Sequence, residues 1–182
     1  MPGLEAANEL IDGIEKNLLP IVQKHLDDGI DPNLRNHKDP FHQGRRLLTF
    51  AAIHGHVPII ELLLQHGAQV DGLDFHLRTA LSWAAEYCQY DAVKVLVEHG
   101  ANVNAEDAEW TTPLCWLITA GNVGRNMENM EKIEKTRKYL VSKGAKKKLW
   151  HSPWAWWKHL KASDNNWKIF ERERGKKIFI GG

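Results

Sequence analysis

The feature that most constrains this chain is a self-similarity at a fixed step of 33 residues. The stretch "RLLTFAAIHGHVPIIELLLQHGAQVDGLD" (46–74) aligns without a gap on "TALSWAAEYCQYDAVKVLVEHGANVNAED" (79–107). Ala51-Ala52 falls on Ala84-Ala85, His66-Gly67-Ala68 on His99-Gly100-Ala101, and Val70-Asp71 on Val103-Asn104. One more step reaches "TPLCWLITAGN" (112–122), whose unit closes late at "YLVSKGAKK" (139–147). Gly144 lies 44 residues after Gly100, so the fourth unit carries an insertion. Backward, "ELIDGIEKNLLPIVQKHLDDGIDPN" (9–33) ends in Gly29-Ile30, 38 residues before Gly67. A step of this length means a stack of small units, none able to bury its apolar face alone.

Each unit has the same physical grammar. A Thr-Pro-Leu-like start opens a short helix, with Pro pre-set for its first turn. The Ala-Ala pair lets a neighbouring helix approach closely. Apolar residues at i, i+3, i+4 spacing give a second helix one buried stripe. A glycine then supplies the left-handed cap, and Val-Asp or Val-Asn leads a hairpin into the next unit. The insertion over 123–144 reads as one lengthened second helix. There Thr136 and Arg137 stand where earlier units have Ile59-Ile60 and Ala92-Val93, giving the polar outer face a terminal unit needs.

These residues resemble the ankyrin repeat family, over roughly residues 5–148. The resemblance implies an all-α solenoid of helix–loop–helix units joined by β-hairpin loops, with units at about 5–35, 40–73, 74–106 and 107–148. It also implies a binding role, since most such arrays recognise proteins. Three departures from the pattern stand out. Leu77 and Trp110 replace the glycine before the Thr-Pro-Leu motif. Cys88-Gln89 replaces Gly-His between the helices of unit three. Unit four has Leu117-Ile118 for Ala-Ala.

The residue before the Ala pair is Phe50, then Trp83, then Trp116, an aromatic column at steps of 33. In the family this position lies on the inner helix, facing or edging a concave groove. Glu86 and Tyr87 fall nearby, and the hairpin tips hold Phe75, His76, Arg78, Glu109 and Trp110. Aromatic residues in a partly polar concavity anchor partners well, and the carboxylates select a basic one. The same column can instead seal the seam between units.

The loop "NHKDPFHQGRR" (36–46) holds His37, Asp39 and His42, but no regular spacing fixes them as ligands, so no metal is expected. His66 and His99 precede a cap glycine, where a helix C-terminus favours a donor or cation.

Residues 149–182 form a Trp-rich, basic extension. Residues 1–142 carry thirteen Lys/Arg against twenty Asp/Glu, a net −7, and residues 143–182 carry eleven against three, a net +8. In "WHSPWAWWKH" (150–159), Ser152 and Pro153 suit a helix start. Trp150, Trp154, Trp157 and Leu160 or Lys161 then give a stripe to a helix over about 153–162. Beyond it, "NWKIFERER" suits either a second short helix or a strand paired with "KKIFI". The expected role is a cap docked on unit four. Two other uses remain open. One is contact of residues 143–177 with nucleic acid or an anionic membrane, since lysines interleave with aromatics there. The other is a small-molecule or catalytic pocket between the last unit and the extension, with His151, His159, Glu86 and Cys115 as acid, base or nucleophile.

No nucleotide-binding, zinc-protease or nucleophile-elbow motif is present. No apolar run is long enough to span a bilayer, and no secretory signal is visible at the N-terminus. The two cysteines, Cys88 and Cys115, sit in no redox or metal spacing, which suggests cytoplasm or nucleus. The sequence therefore predicts a monomeric scaffold or adaptor that binds a protein partner without cofactor or chemistry of its own.

Overall fold

The structure, a computed structural model, describes residues 2–36, 44–120 and 127–146. Among these, eight helices run in chain order: α1 (Pro2–Glu15), α2 (Leu19–Asp27), α3 (Leu47–His54), α4 (Val57–Gln65), α5 (Ala80–Glu86), α6 (Tyr90–Glu98), α7 (Pro113–Ala120) and α8 (Met127–Ser142). Consecutive helices pair within a unit. The odd-numbered helices form one row, α1 on α3, α3 on α5, α5 on α7. The even-numbered helices form a second row, α2 on α4, α4 on α6, α6 on α8. This is the layered stack that the 33-residue step predicts.

The inner row is close-packed because its residues are small where helices meet. Ala51, Ala52, Ala84 and Ala85 are fully buried, and Leu117, also buried, takes the first alanine position in unit four. In the outer row, Ile59, Ile60 and Leu63 of α4 and Ala92, Val93 and Leu96 of α6 are fully buried. Each such aliphatic side chain contributes roughly 1.5–3 kcal/mol by leaving water. Leu10, Ile14 and Val22 extend the same core into the first unit.

Each second helix ends alike. Gly29, Gly67, Gly100 and Gly144 adopt φ between +86° and +89°. The amide three residues past the helix turns back five residues, as Ala68 does to Leu63 (2.9 Å), Ala101 to Leu96 (3.0 Å) and Ala145 to Leu140 (3.0 Å). This closure satisfies carbonyls that the helix end leaves open.

Side chains then staple unit to unit. Asn33 Nδ2 donates to the Gly67 carbonyl (3.2 Å) and Asn33 Oδ1 accepts from Gln69 N (2.8 Å). Asn104 repeats both bonds two stages on, to the Gly144 carbonyl (3.0 Å) and from Lys146 N (2.7 Å). Asp71 accepts from Asn102 N (3.0 Å).

The lengthened second helix of unit four appears as α8. Thr136 is fully buried, and its hydroxyl donates to the Lys132 carbonyl (2.7 Å). Arg137 forms a two-pronged pair with Glu134 at 2.7 Å on the outer surface. Thr136 is thus packed inward as Ile59 and Ala92 are, its hydroxyl satisfied by its own helix, and of the two residues expected on a polar outer face only Arg137 stands there. No strand occurs among the described residues. The hairpins are tight turns, with one antiparallel bridge between Arg35 and Arg46.

Candidate functional site

The inner seam is built on two buried carboxylates, Asp74 and Asp107, one repeat apart. Asp74 Oδ1 accepts from the backbone N–H of His76 (2.8 Å) and Arg78 (2.9 Å), and its Oδ2 accepts from Trp83 Nε1 (2.9 Å). Asp107 does the same with Glu109 N (2.9 Å), Thr111 N (2.9 Å) and Trp116 Nε1 (2.8 Å). A short acidic side chain folds the turn onto itself, and its second oxygen fixes the indole of the following helix. The two turns are joined by Ala108 N donating to the His76 carbonyl (2.9 Å).

This turn forces one tip residue into the left-handed region. It is Gly44 in unit two (φ +67°), Leu77 in unit three (φ +58°) and Trp110 in unit four (φ +62°). Glycine takes that conformation at no steric cost, whereas a branched or bulky residue pays about 1–2 kcal/mol. A Cβ on Gly44 would also meet the ring of Phe75, an exposed side chain that would have to swing aside. Leu77 and Trp110 keep their bulk in spite of the cost and point it outward, 48% and 57% exposed, beside Phe75 at 59%.

Beneath the tips, arginines and indoles alternate. The Arg78 guanidinium carbon lies 3.5 Å from the Trp83 ring centre and 3.9 Å from that of Trp116. Arg45 stacks on Trp83 at 3.9 Å, so Trp83 has a guanidinium on each face. Arg78 also points Nε at Ser82 Oγ (3.4 Å) and Nη2 at the Ser82 carbonyl (3.4 Å), and it pairs with Glu86 Oε2 (2.5 Å). Burial pulls its pKa below the usual arginine value, and Glu86, then Asp107 and Asp74, pull against that.

These positions redistribute the expected site. Phe50 and Trp83 are 2% and 5% exposed, so the column seals the seam at those two levels and does not present open rings. Arg78 is likewise buried, held between indoles instead of standing at a tip. Their burial has a common cause: each lies where two inner helices meet. Trp116 and Glu86 are partly exposed, while Tyr87, Phe75, His76, Glu109 and Trp110 are exposed. Tyr87 leans on Trp83, ring centres 6.3 Å apart.

The groups considered for chemistry are not brought together by the described residues. Glu86 is engaged by Arg78, and Cys115 is buried with the Thr112 hydroxyl at 3.5 Å. His151 and His159 lie outside the described residues, as do His37, Asp39, His42 and the Trp-rich stretch. Among the described residues no group of three His, Cys, Asp or Glu side chains could hold a metal.

Sequence reasoning missed Asp74, Asp107, Arg45 and the exposure of Leu77. The signal was available, since Asp74/Asp107, Trp83/Trp116 and Arg45/Arg78 all recur at the step of 33. A family model described as ankyrin repeats (3 copies) matches residues 10–107, more than half of the chain. No curated protein matches it.

Proposed function

The chain belongs to the ankyrin repeat family, and from that premise we propose that it binds a protein partner stoichiometrically, through its hairpin tips and the adjoining rim of the inner row. Ankyrin repeats are in general protein–protein interaction modules, and the finer assignment is ours. The observation that carries it is the pair Leu77 and Trp110. Both are bulky, exposed and held on left-handed backbone where unit two uses glycine. A residue that strains the turn and leaves apolar surface in water lowers stability, and such residues cluster at functional positions.

Phe75, Leu77 and Trp110 serve as anchors in this reading, with Tyr87, Trp116 and Glu86 along the rim and His76 and Glu109 giving polar selectivity. Phe50, Trp83 and Arg78 act behind this surface and shape it. The excess of carboxylates over residues 1–142, net −7, favours a basic partner by steering its approach. No helix among the described residues is long and apolar enough to cross a membrane, and we assign the protein to the cytoplasm or nucleus as a monomer.

The test is quantitative capture of partners from the source cell by the wild-type chain and by Leu77→Gly/Trp110→Gly. A partner lost from the variant is then titrated against both chains. Its Kd is expected to rise at least about tenfold, or roughly 1.4 kcal/mol, with the circular dichroism of the variant unchanged. An identical captured set with unchanged affinities defeats the reading.

A further inference from the structure

We propose that Trp83, Trp116, Ser82 and Glu86 form a guanidinium receptor built into the seam between units three and four, which Arg78 fills in cis as the ligand that sets the spacing of the two units. The proposal is independent of any partner. It rests on the completeness of the site around one planar cation.

The guanidinium lies over two indole rings, its carbon 3.5 and 3.9 Å from their centres. One edge is met by the Ser82 hydroxyl and carbonyl at 3.4 Å, and the carboxylate of Glu86 supplies the counter-charge. Trp83 belongs to α5 and Trp116 to α7, so the cation is shared between units. Neither ring is free to turn away, because Asp74 and Asp107 hold the indole N–H groups at 2.9 and 2.8 Å. Donation to a carboxylate also makes each ring richer in electrons, which strengthens its attraction for a cation. Two flat faces, acceptors for Nε and Nη2 and a counter-ion match a guanidinium. An ammonium cannot stack and reach both acceptors at once.

The preceding seam gives an internal control. Arg45 and Trp83 meet there at 3.9 Å, but the residues matching Trp83, Ser82 and Glu86 are Phe50, Thr49 and Ile53. That level offers no carboxylate from its own inner helix. The complete receptor is peculiar to unit three.

The experiment uses the full chain with Arg78→Ala, and thermal unfolding as readout, with ethylguanidinium and ethylammonium as probes. Arg78→Ala is expected to lower Tm by about 5–10 °C, since it empties the site and leaves Glu86 without its cation. Ethylguanidinium at millimolar concentration, far below the denaturing range, is expected to restore about half of that loss or more by binding the folded form. Wild type, whose site is filled, should not respond, and ethylammonium should act on neither. Arg78→Lys should stay close to the alanine variant. The proposal is overturned if ethylguanidinium shifts both chains alike or neither, or if lysine restores wild-type stability. Should Arg78→Ala not fold, Arg78→Met, which keeps the apolar stem, carries the same comparison. Folding of either variant only with ethylguanidinium present supports the receptor, and failure of both in its presence overturns it.

Discussion

Units two and three share a backbone and differ in what they place on their inner helices. In α3 the residues at the seam are Thr49, Phe50 and Ile53, all buried and largely apolar. In α5 the matching residues are Ser82, Trp83 and Glu86, which bind an arginine and, through the indole, an aspartate. At the tip, unit two has Gly44 and unit three has Leu77 on the same left-handed backbone. The outer helices α4 and α6 hardly differ, each burying one aliphatic stripe. The step of 33 thus fixes spacing and burial on the outer side, and leaves the inner side to carry either an apolar seam or a polar one. The polar seam is held more specifically, since each of its members is left unpaired when its partner is removed.

The strongest way to break this comparison is Asp74→Ala. It strips an acceptor from two backbone amides and one indole, of which the Arg78 amide and the Trp83 indole are buried, and the residue at the matching place in unit two is Phe41. A loss of about 3 kcal/mol or more is expected in urea unfolding. A loss below about 1 kcal/mol would mean that unit three stands on its apolar stripe alone, as unit two does.

The tips give a test by sign. Gly44→Ala forces a Cβ onto left-handed backbone and against Phe75, and should cost about 1–3 kcal/mol. Leu77→Gly relieves the same backbone conformation and should gain up to about 1 kcal/mol. Equal signs for the two would remove the case for strain at Leu77.

A smaller effect sharpens the ladder of staples. Asn33 and Asn104 each donate and accept, whereas a carboxylate at Asp71 can only accept. Asp71→Asn should add the missing bond to the Gly100 carbonyl and raise stability by about 0.5–1 kcal/mol. No change in the unfolding midpoint would show that the second bond is immaterial.

The smallest expected effect is a pH dependence. His66 Nδ1 bonds the Leu62 carbonyl at 2.9 Å and Nε2 meets Asp27 at 3.2 Å, which together raise its pKa. A raised folded pKa means that the contribution is full below the unfolded value, about 6.5. It is lost as pH climbs through the folded value. His99, its counterpart in unit three, bonds the Val95 carbonyl at 2.9 Å. His66→Gln should flatten the stability profile of the chain between mildly acidic and alkaline pH. His99→Gln is the control, and a drop on alkalinisation that survives His66→Gln would assign it elsewhere.

Much of the fold was legible in the residues. Ala-Ala, the Ile-Ile and Leu-Leu stripes and the four cap glycines announce helix pairs, because spacing and handedness act locally. The site was only half legible. Phe50, Trp83 and Trp116 were visible as a column, but whether a ring lies in a seam or on a rim depends on the neighbour above it. Arg78 reads as a tip residue by position, and only the distance to two indoles shows that it turns inward. Asp74 and Asp107 recur with Trp83 and Trp116 at the step of 33, but a bond from position i to an indole at i+9 has no local signature.

The staples also give the array a direction. Asn33 and Asn104 each reach forward, from the turn that leaves one unit to the turn that closes the next. A chain emerging from the ribosome makes the receiving side chain first. Each newly finished helical hairpin therefore meets a side chain already waiting to dock it, the amide of Asn33 or Asn104 or the carboxylate of Asp71, so assembly and synthesis run the same way along the molecule.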